Sequence, residues 1–254
     1  MIVGIATHKG GSGKTVTALN LAAGLARSGG RTLLVDMDPQ GHAGLGLGID
    51  LEYDAPNMAD ALIPGGKTMD GVVVTSSIPN LDVAPSNIRL ATTAEGLYSR
   101  PRREERLMNA LEPVQKRYQW IVVDSPPNLG SLMWNIIYAS DLILIPCVMG
   151  ARSADGLVDL LGLVKEVKNR DPYDYRIIYT IVDIRTKATI EAVQIQMEPH
   201  RKNILCTVIP RVEALNQAQI VGQDIFAFAP KCKGAEAYRQ LTAEIQKYAE
   251  TRPH

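Results

Sequence analysis

Short apolar runs rich in β-branched residues recur along the chain at 2–6, 32–35, 81–84, 120–123, 142–146, 177–182 and 206–209, and each predicts a buried strand. Between them the spacing of apolar residues changes to that of a helix. Residues 15–27 place Val16, Leu19, Ala22 and Ala23 on one face, and residues 154–168 do the same with Leu157, Leu160, Leu161 and Val164. Strands alternating with helices predict an α/β fold, a mostly parallel twisted sheet with helices on both faces. No internal repeat, low-complexity stretch or linker breaks the pattern, so residues 1–254 are expected to form a single domain. Ligands of such sheets collect at the carboxyl ends of the strands. Four polar clusters fall there: a glycine loop after 2–6, Asp36 to Gln40 after 32–35, Asp124 to Pro127 after 120–123, and Pro210 with Arg211 after 206–209.

The glycine loop reads HKGGSGKT from His8 to Thr15. Set between a strand and a helix, Gly10, Gly11, Ser12, Gly13, Lys14 and Thr15 have the spacing of a phosphate-binding loop, and the chain is expected to be a P-loop NTPase. Glycines let successive N–H groups turn in around phosphate oxygens, and the helix N-terminus adds its partial positive charge. Lys14 is expected to meet the β- and γ-phosphates, and the Thr15 hydroxyl to ligate Mg²⁺. Contacts to the nucleotide are expected from Gly10 through this loop to Val16. Asp124 ends the run WIVVD, where a second acidic residue holds magnesium through water. In DMDPQG, Asp36 and Asp38 stand two apart on an extended segment and are expected to face the same way, orienting the attacking water and tuning the magnesium shell. Thr15, Asp38 and Asp124 are thus the expected metal site, and Lys14 and Asp38 are expected to be catalytic. A lone strand-end aspartate or a turn aspartate is the plainer alternative for Asp124 and Asp36.

Composition narrows the setting. Lys+Arg and Asp+Glu both number 27, so any nucleic-acid binding must use a local patch. The segment 185–211 offers one, with Arg185, Lys187, Arg201, Lys202 and Arg211 against only Glu191 and Glu198. The three cysteines, Cys147, Cys206 and Cys232, form no CxxC pair, which argues against a disulfide framework and an iron–sulfur or zinc site. His42, His200 and His254 show no metal-ligand spacing either. The opening MIVGIATHKGG lacks the regions of a signal peptide, and no apolar run approaches a membrane span, so a cytoplasmic protein is expected.

KGGSGKT, LLVDMDPQGHAGLGLG, IVVDSPPNLG and TVIPRVEALNQA…GAEAYRQLTAEI together resemble the deviant-Walker ATPases, most closely the ParA/Soj-type chromosome and plasmid partition ATPases, over nearly the whole chain. The resemblance implies a slow, partner-stimulated ATPase using ATP/ADP and Mg²⁺, a homodimer in the ATP state, a ParB-like adaptor and binding to nonspecific DNA, with nucleoid association when ATP-bound. By position it implies that Lys9 reaches the phosphates of the partner subunit's ATP and that Asp38 positions the hydrolytic water. Asp124 becomes the Walker B residue, Pro210 and Arg211 lie near the adenine, and Arg185 and Lys187 bind DNA. The pattern departs at His8 and Ser12, where relatives often carry Gln and Val, and at Val212 and Ala214, where many carry Asn and a second Arg linked to DNA binding.

Three other classes fit less well. A MinD-like membrane-associated positioning ATPase needs a basic amphipathic C-terminal helix. Here Tyr238, Leu241, Ile245 and Tyr248 form a stripe suited to docking on the protein's own sheet, and no stable membrane association is expected. An iron–sulfur carrier needs paired thiolates. A synthetase of the same superfamily needs a second substrate constellation, and none is evident.

Overall fold

A computed structural model describes residues 1–150, 155–168 and 173–252. In chain order, β1 (Ile2–Ile5) leads into α1 (Lys14–Arg27), and β2 (Thr32–Asp36) into the short α2 (His42–Leu45) and α3 (Met58–Ala61). Then follow β3 (Val74–Thr75), β4 (Leu81–Ala84), α4 (Arg89–Leu97), α5 (Arg106–Leu111), β5 (Trp120–Asp124) and α6 (Ser131–Ala139). The remainder is β6 (Leu142–Val148), α7 (Asp155–Lys168), β7 (Tyr175–Val182), α8 (Lys187–Gln196), β8 (Ile204–Pro210), α9 (Glu213–Ile220), α10 (Ile225–Phe228) and α11 (Lys233–Thr251).

The eight strands make one sheet in the order β3-β4-β2-β5-β1-β6-β7-β8. Every pairing is parallel except β3 with β4. Alternate residues of each inner strand supply opposite faces. Val3, Ile5, Leu34, Val122, Leu144 and Ile178 pack with α1 and α11 on one side. Leu33, Val35, Ile121 and Val123 meet α4, α5 and α6 on the other, and Ile143, Ile145 and Ile177 meet α7 and α8. Burial on both faces explains the unbroken apolar runs. Where α1 crosses α11 the helices need a residue without a side chain: a Cβ on Gly24 would lie 2.2 Å from Thr242 Oγ1.

All seven expected strands are present, with shifted ends. Asp36 and Asp124 are the last residues of β2 and β5, paired in register, rather than the first residues of loops. β6 runs past Pro146 to Val148. The Ala6 N–H to Leu144 O bond is the last on the β1 side of β6, and alternation points Pro146 to that same side, where the missing donor costs no ladder bond. β3, two residues long and antiparallel at the edge, is too short to show in a periodicity. The expected helix 154–168 is seen from Asp155; Ala154 lies outside the described residues, as does His254.

Candidate functional site

Between β1 and α1 the chain wraps the phosphate loop. Gly11 and Gly13 take φ values of 68° and 79°, the left-handed region that a side chain resists, and Gly13 opens directly into α1. The Thr17 N–H bonds the Gly13 carbonyl at 2.8 Å, so the first helical turn is closed while the N–H groups before it stay available to an anion. Ser12 is buried, and its carbonyl accepts the Thr180 hydroxyl at 2.8 Å, which moors the loop to β7.

Lys14 is buried, 7% exposed, and its ammonium donates to the Lys9 carbonyl at 3.2 Å. Burial lowers its pKa, while the charges of Asp124 and Asp38 pull the other way. Lys9, five residues earlier, is exposed, and its ammonium makes no ion pair among the described residues. Beside it His8 approaches Asp159 of α7 at 3.4 Å. The two lysines of the loop therefore occupy opposite environments, one sunk among carboxylates and one facing out.

Asp38 is buried, 8% exposed, and accepts the Gln40 N–H at 3.0 Å on Oδ1. Its main chain is held on both sides, by its own N–H on Asp36 Oδ1 at 3.0 Å and by the Ser86 hydroxyl on its carbonyl. Asp124 is fully buried, and neither of its carboxylate oxygens has a hydrogen-bond partner among the described residues. Burial pushes its pKa well up and the Asp36 charge adds to this, against the nearby Thr15 hydroxyl. One buried ammonium, Lys14, is within reach of the Asp38 and Asp124 carboxyls, and Asp36 acts on Asp124 from the neighbouring strand. More buried acids than cations, with an orphaned carboxyl next to a threonine hydroxyl, fit a divalent cation of the magnesium type, which would displace the proton that burial leaves on Asp124. Among the described residues no three His, Cys, Asp or Glu form a complete cage. Magnesium needs none, since it keeps waters and takes phosphate oxygens as ligands.

Asp36 corrects one expectation. It shares the buried cluster, but both its oxygens are committed to backbone N–H groups, Oδ1 to Asp38 and Oδ2 to Ala43 at 2.9 Å and Gly44 at 3.3 Å. α2 begins at Gly41, which has no side chain to cap it, and Asp36 supplies the missing acceptor from the neighbouring strand. It is a turn carboxylate that shapes the segment carrying Asp38. Burial raises its pKa to about 6 despite the three N–H bonds.

A cavity of about 500 Å³ opens next to the loop. Gly11, Gly13 and Val16 of the loop line it, and so do Pro210 and Arg211, the two residues expected near the adenine. Thr180, Ile181, Glu213, Asn216 and Tyr238 also line it, and none of these five is expected in this role from the sequence. Tyr238 was assigned to the docking stripe of the last helix, and its hydroxyl meets Thr17 Oγ1 at 3.2 Å under the cavity. Gly10 is exposed at the loop tip. Lys9 and Ser12 border a separate small cleft, about 20 Å³, with Cys147 and Gly156.

Arg185 and Lys187 lie beyond the end of β7, fully outside this cavity. Arg185 is 84% exposed and grips Asp183 with Nε and Nη2, at 2.8 Å and 2.5 Å. That contact holds the Asp183 carboxyl down to about 2, with Arg211 contributing from the cavity mouth. Lys187 is exposed at the start of α8. The C-terminal stripe is docked: Tyr238, Leu241 and Ile245 are buried against α1 and the sheet.

Comparison with known proteins agrees with this geometry. A family model described as an AAA domain (AAA_31) matches residues 1–178. The chain is 38% identical over 247 residues to the sporulation initiation inhibitor protein Soj of Bacillus subtilis (strain 168), covering 96% of this chain and 97% of that one. It is 35% identical over 249 residues to the chromosome partitioning protein ParA of Myxococcus xanthus, covering 97% and 88%. Among solved structures, cobyrinic acid a,c-diamide synthase from Mycobacterium smegmatis, with bound ATP analogue and magnesium, superposes with a TM-score of 0.84 at 26% identity, covering 98% and 96%. The same architecture thus carries a synthase as well, and function must be argued from the site.

Proposed function

The chain belongs to the ParA/MinD superfamily of partition ATPases, and on that premise we propose that it is an ATP-driven dimerising switch that binds DNA without sequence preference and positions a DNA or other large cargo with a ParB-like adaptor. The observation that carries the reading is the opposition of Lys14 and Lys9. One cation is sunk against Asp38 and Asp124 and serves the subunit's own nucleotide. The other faces out, uncommitted, beside the same loop.

In this reading the cavity takes the nucleoside of ATP or ADP, between Val16 and the Pro210–Arg211 wall, and the loop N–H groups take its phosphates. Lys14 leaves the Lys9 carbonyl and donates to the β- and γ-phosphates. The Thr15 hydroxyl and Asp124 would hold magnesium, which would supply positive charge to neutralise that developing on the phosphates. Asp38, clamped by Asp36 and Ser86, orients the attacking water. Arg211, the one arginine lining the cavity among the described residues, is assigned to the nucleoside, which leaves no built-in finger for the γ-phosphate and accords with slow turnover that a partner stimulates. Lys9 crosses to the partner subunit's phosphates, which makes dimerisation depend on ATP.

Arg185 and Lys187 form the DNA contact, doubled in the dimer, with the protein cytoplasmic and carried on the nucleoid in its ATP state. A membrane track is disfavoured, because the apolar stripe of α11 is spent on the protein's own core.

Sedimentation and random-duplex binding with ATP, with ADP and without nucleotide test the reading together. Dimer and DNA complex are expected with ATP only, and both should be lost in Lys9→Ala while ADP binding survives. A Lys9→Ala protein that dimerises normally with ATP removes the cross-subunit role.

A further inference from the structure

Ile181 stands at φ 54°, the left-handed region, where the branched Cβ of an isoleucine crowds its own backbone. Among the described residues only Asn80 and Arg102 share that sign without being glycine, and neither is β-branched. The strain coincides with an irregularity in the sheet. β7 advances from Tyr179 to Val182 while β8 advances only from Val208 to Pro210, so β7 carries one residue more than its partner. Beyond the bulge the strands rejoin through the Arg211 N–H and the Val182 carbonyl, at 3.0 Å.

The bulge has a geometric consequence. Successive side chains of a regular strand point to opposite faces, yet Thr180 and Ile181 line the same cavity. Thr180 is buried, and its hydroxyl holds the Ser12 carbonyl at 2.8 Å. Ile181 remains 37% exposed at that cavity, on the strand next to the Pro210 and Arg211 that also line it. Strained residues persist where the surrounding structure over-determines them and cluster at ligand sites.

We propose that Ile181 is a nucleoside-positioning residue: its side chain forms an apolar wall for the base and ribose, and β7 keeps the bulge to hold that wall in step with the phosphate loop through Thr180 and Ser12. The inference rests on the nucleotide reading above and assigns one face of that site to a residue with no sequence motif. It separates two effects that ordinarily move together. Glycine adopts the left-handed conformation freely, so Ile181→Gly relieves strain in the empty protein while deleting the wall.

The test measures binding of Mg·ATP, Mg·ADP and magnesium tripolyphosphate by calorimetry, and the melting temperature of the nucleotide-free protein. Ile181→Gly is expected to weaken ATP and ADP about tenfold, ~1.4 kcal/mol. Tripolyphosphate binding should be unchanged and the melting temperature equal to or above wild type. Ile181→Val, which keeps a branched wall, should retain near-wild-type affinity. Equal ATP affinity in Ile181→Gly overturns the wall; an equal loss for ATP and tripolyphosphate overturns it too, since the effect then lies in the phosphate loop. A lower melting temperature in Ile181→Gly overturns the strain. Wild-type protein that binds neither ATP nor tripolyphosphate overturns the nucleotide reading itself.

Discussion

The two halves of the nucleotide cleft are built in opposite ways. The half formed by β1, β2 and β5 is closed and fixed: Asp36 has three backbone donors, Asp38 is clamped fore and aft, and Lys14 and Asp124 are buried beside each other. The half formed by β7, β8 and α9 is open, with a cavity of about 500 Å³, a slipped register and a strained wall residue. Groups that must handle developing charge are held by many short bonds, because misplacement by an ångström costs rate. The base needs only an apolar slot, and a slot tolerates irregular walls. Substitutions in the first half should therefore act as switches, and those in the second as graded adjustments.

The sharpest break is expected at Lys14. Lys14→Ala removes the buried cation from beside Asp38 and Asp124, and ATP affinity should fall by about a thousandfold. Titration with a fluorescent ATP analogue reads the loss; a fall of only a few-fold would place Lys14 with the graded residues. Next comes Asp38→Ala, expected to bind Mg·ATP near normally and turn over roughly a hundredfold more slowly, because a water-orienting carboxylate acts in the transition state. Single-turnover hydrolysis checks it, and a wild-type rate would reduce Asp38 to a turn residue.

The same division governs what could be read from the sequence. KGGSGKT, DMDPQG and WIVVD each place their groups within a few consecutive residues at strand ends, so local spacing was enough to expect Lys14, Asp38 and Asp124 near one another. The error there, at Asp36, arose because its partners Ala43 and Gly44 lie in a helix too short to announce itself. The cavity joins residues near 11–16, 180–181, 209–216 and 238, which only the sheet order brings together. Pro210 and Arg211 were reached through family resemblance; Ile181 sat inside an ordinary apolar run and gave no signal. The edge strand β3 was missed for want of length.

A smaller effect probes the electrostatics of the closed half. Asp124 keeps its proton well above the ordinary carboxylate range, and a magnesium ion needs the carboxylate. Mg·ADP binding should release protons, more of them as the pH is lowered into the range where Asp124 keeps its proton, read from the dependence of calorimetric heat on buffer ionisation enthalpy, and Asp124→Asn should abolish the release. Asp36 adds a pH signature to folding. Unfolded it ionises near 3.8 and folded at about 6, so between those values the folded chain holds the extra proton. Stability of the nucleotide-free protein should then fall as pH rises from 4 to 6, by on the order of 2–3 kcal/mol. Melting curves that rise steadily across that window would contradict the burial of an ionising Asp36.

The smallest effect lies at the outer rim of the open half. Arg185 does not wait free for DNA: Asp183 holds it through Nε and Nη2, and a phosphate must displace that carboxylate. The two residues should therefore move affinity in opposite directions. Arg185→Ala should weaken binding to random duplex a few-fold and lower the salt dependence by about one counterion per subunit. Asp183→Asn leaves the backbone turn but takes away the competing charge, and should strengthen binding by a similar factor, most visibly at low salt. ATP hydrolysis and dimerisation should be untouched in both, since neither residue lines the cavity. If both variants weaken DNA equally, the Asp183–Arg185 pair acts as one rigid contact that shapes the loop. If neither changes it, the track lies on another surface.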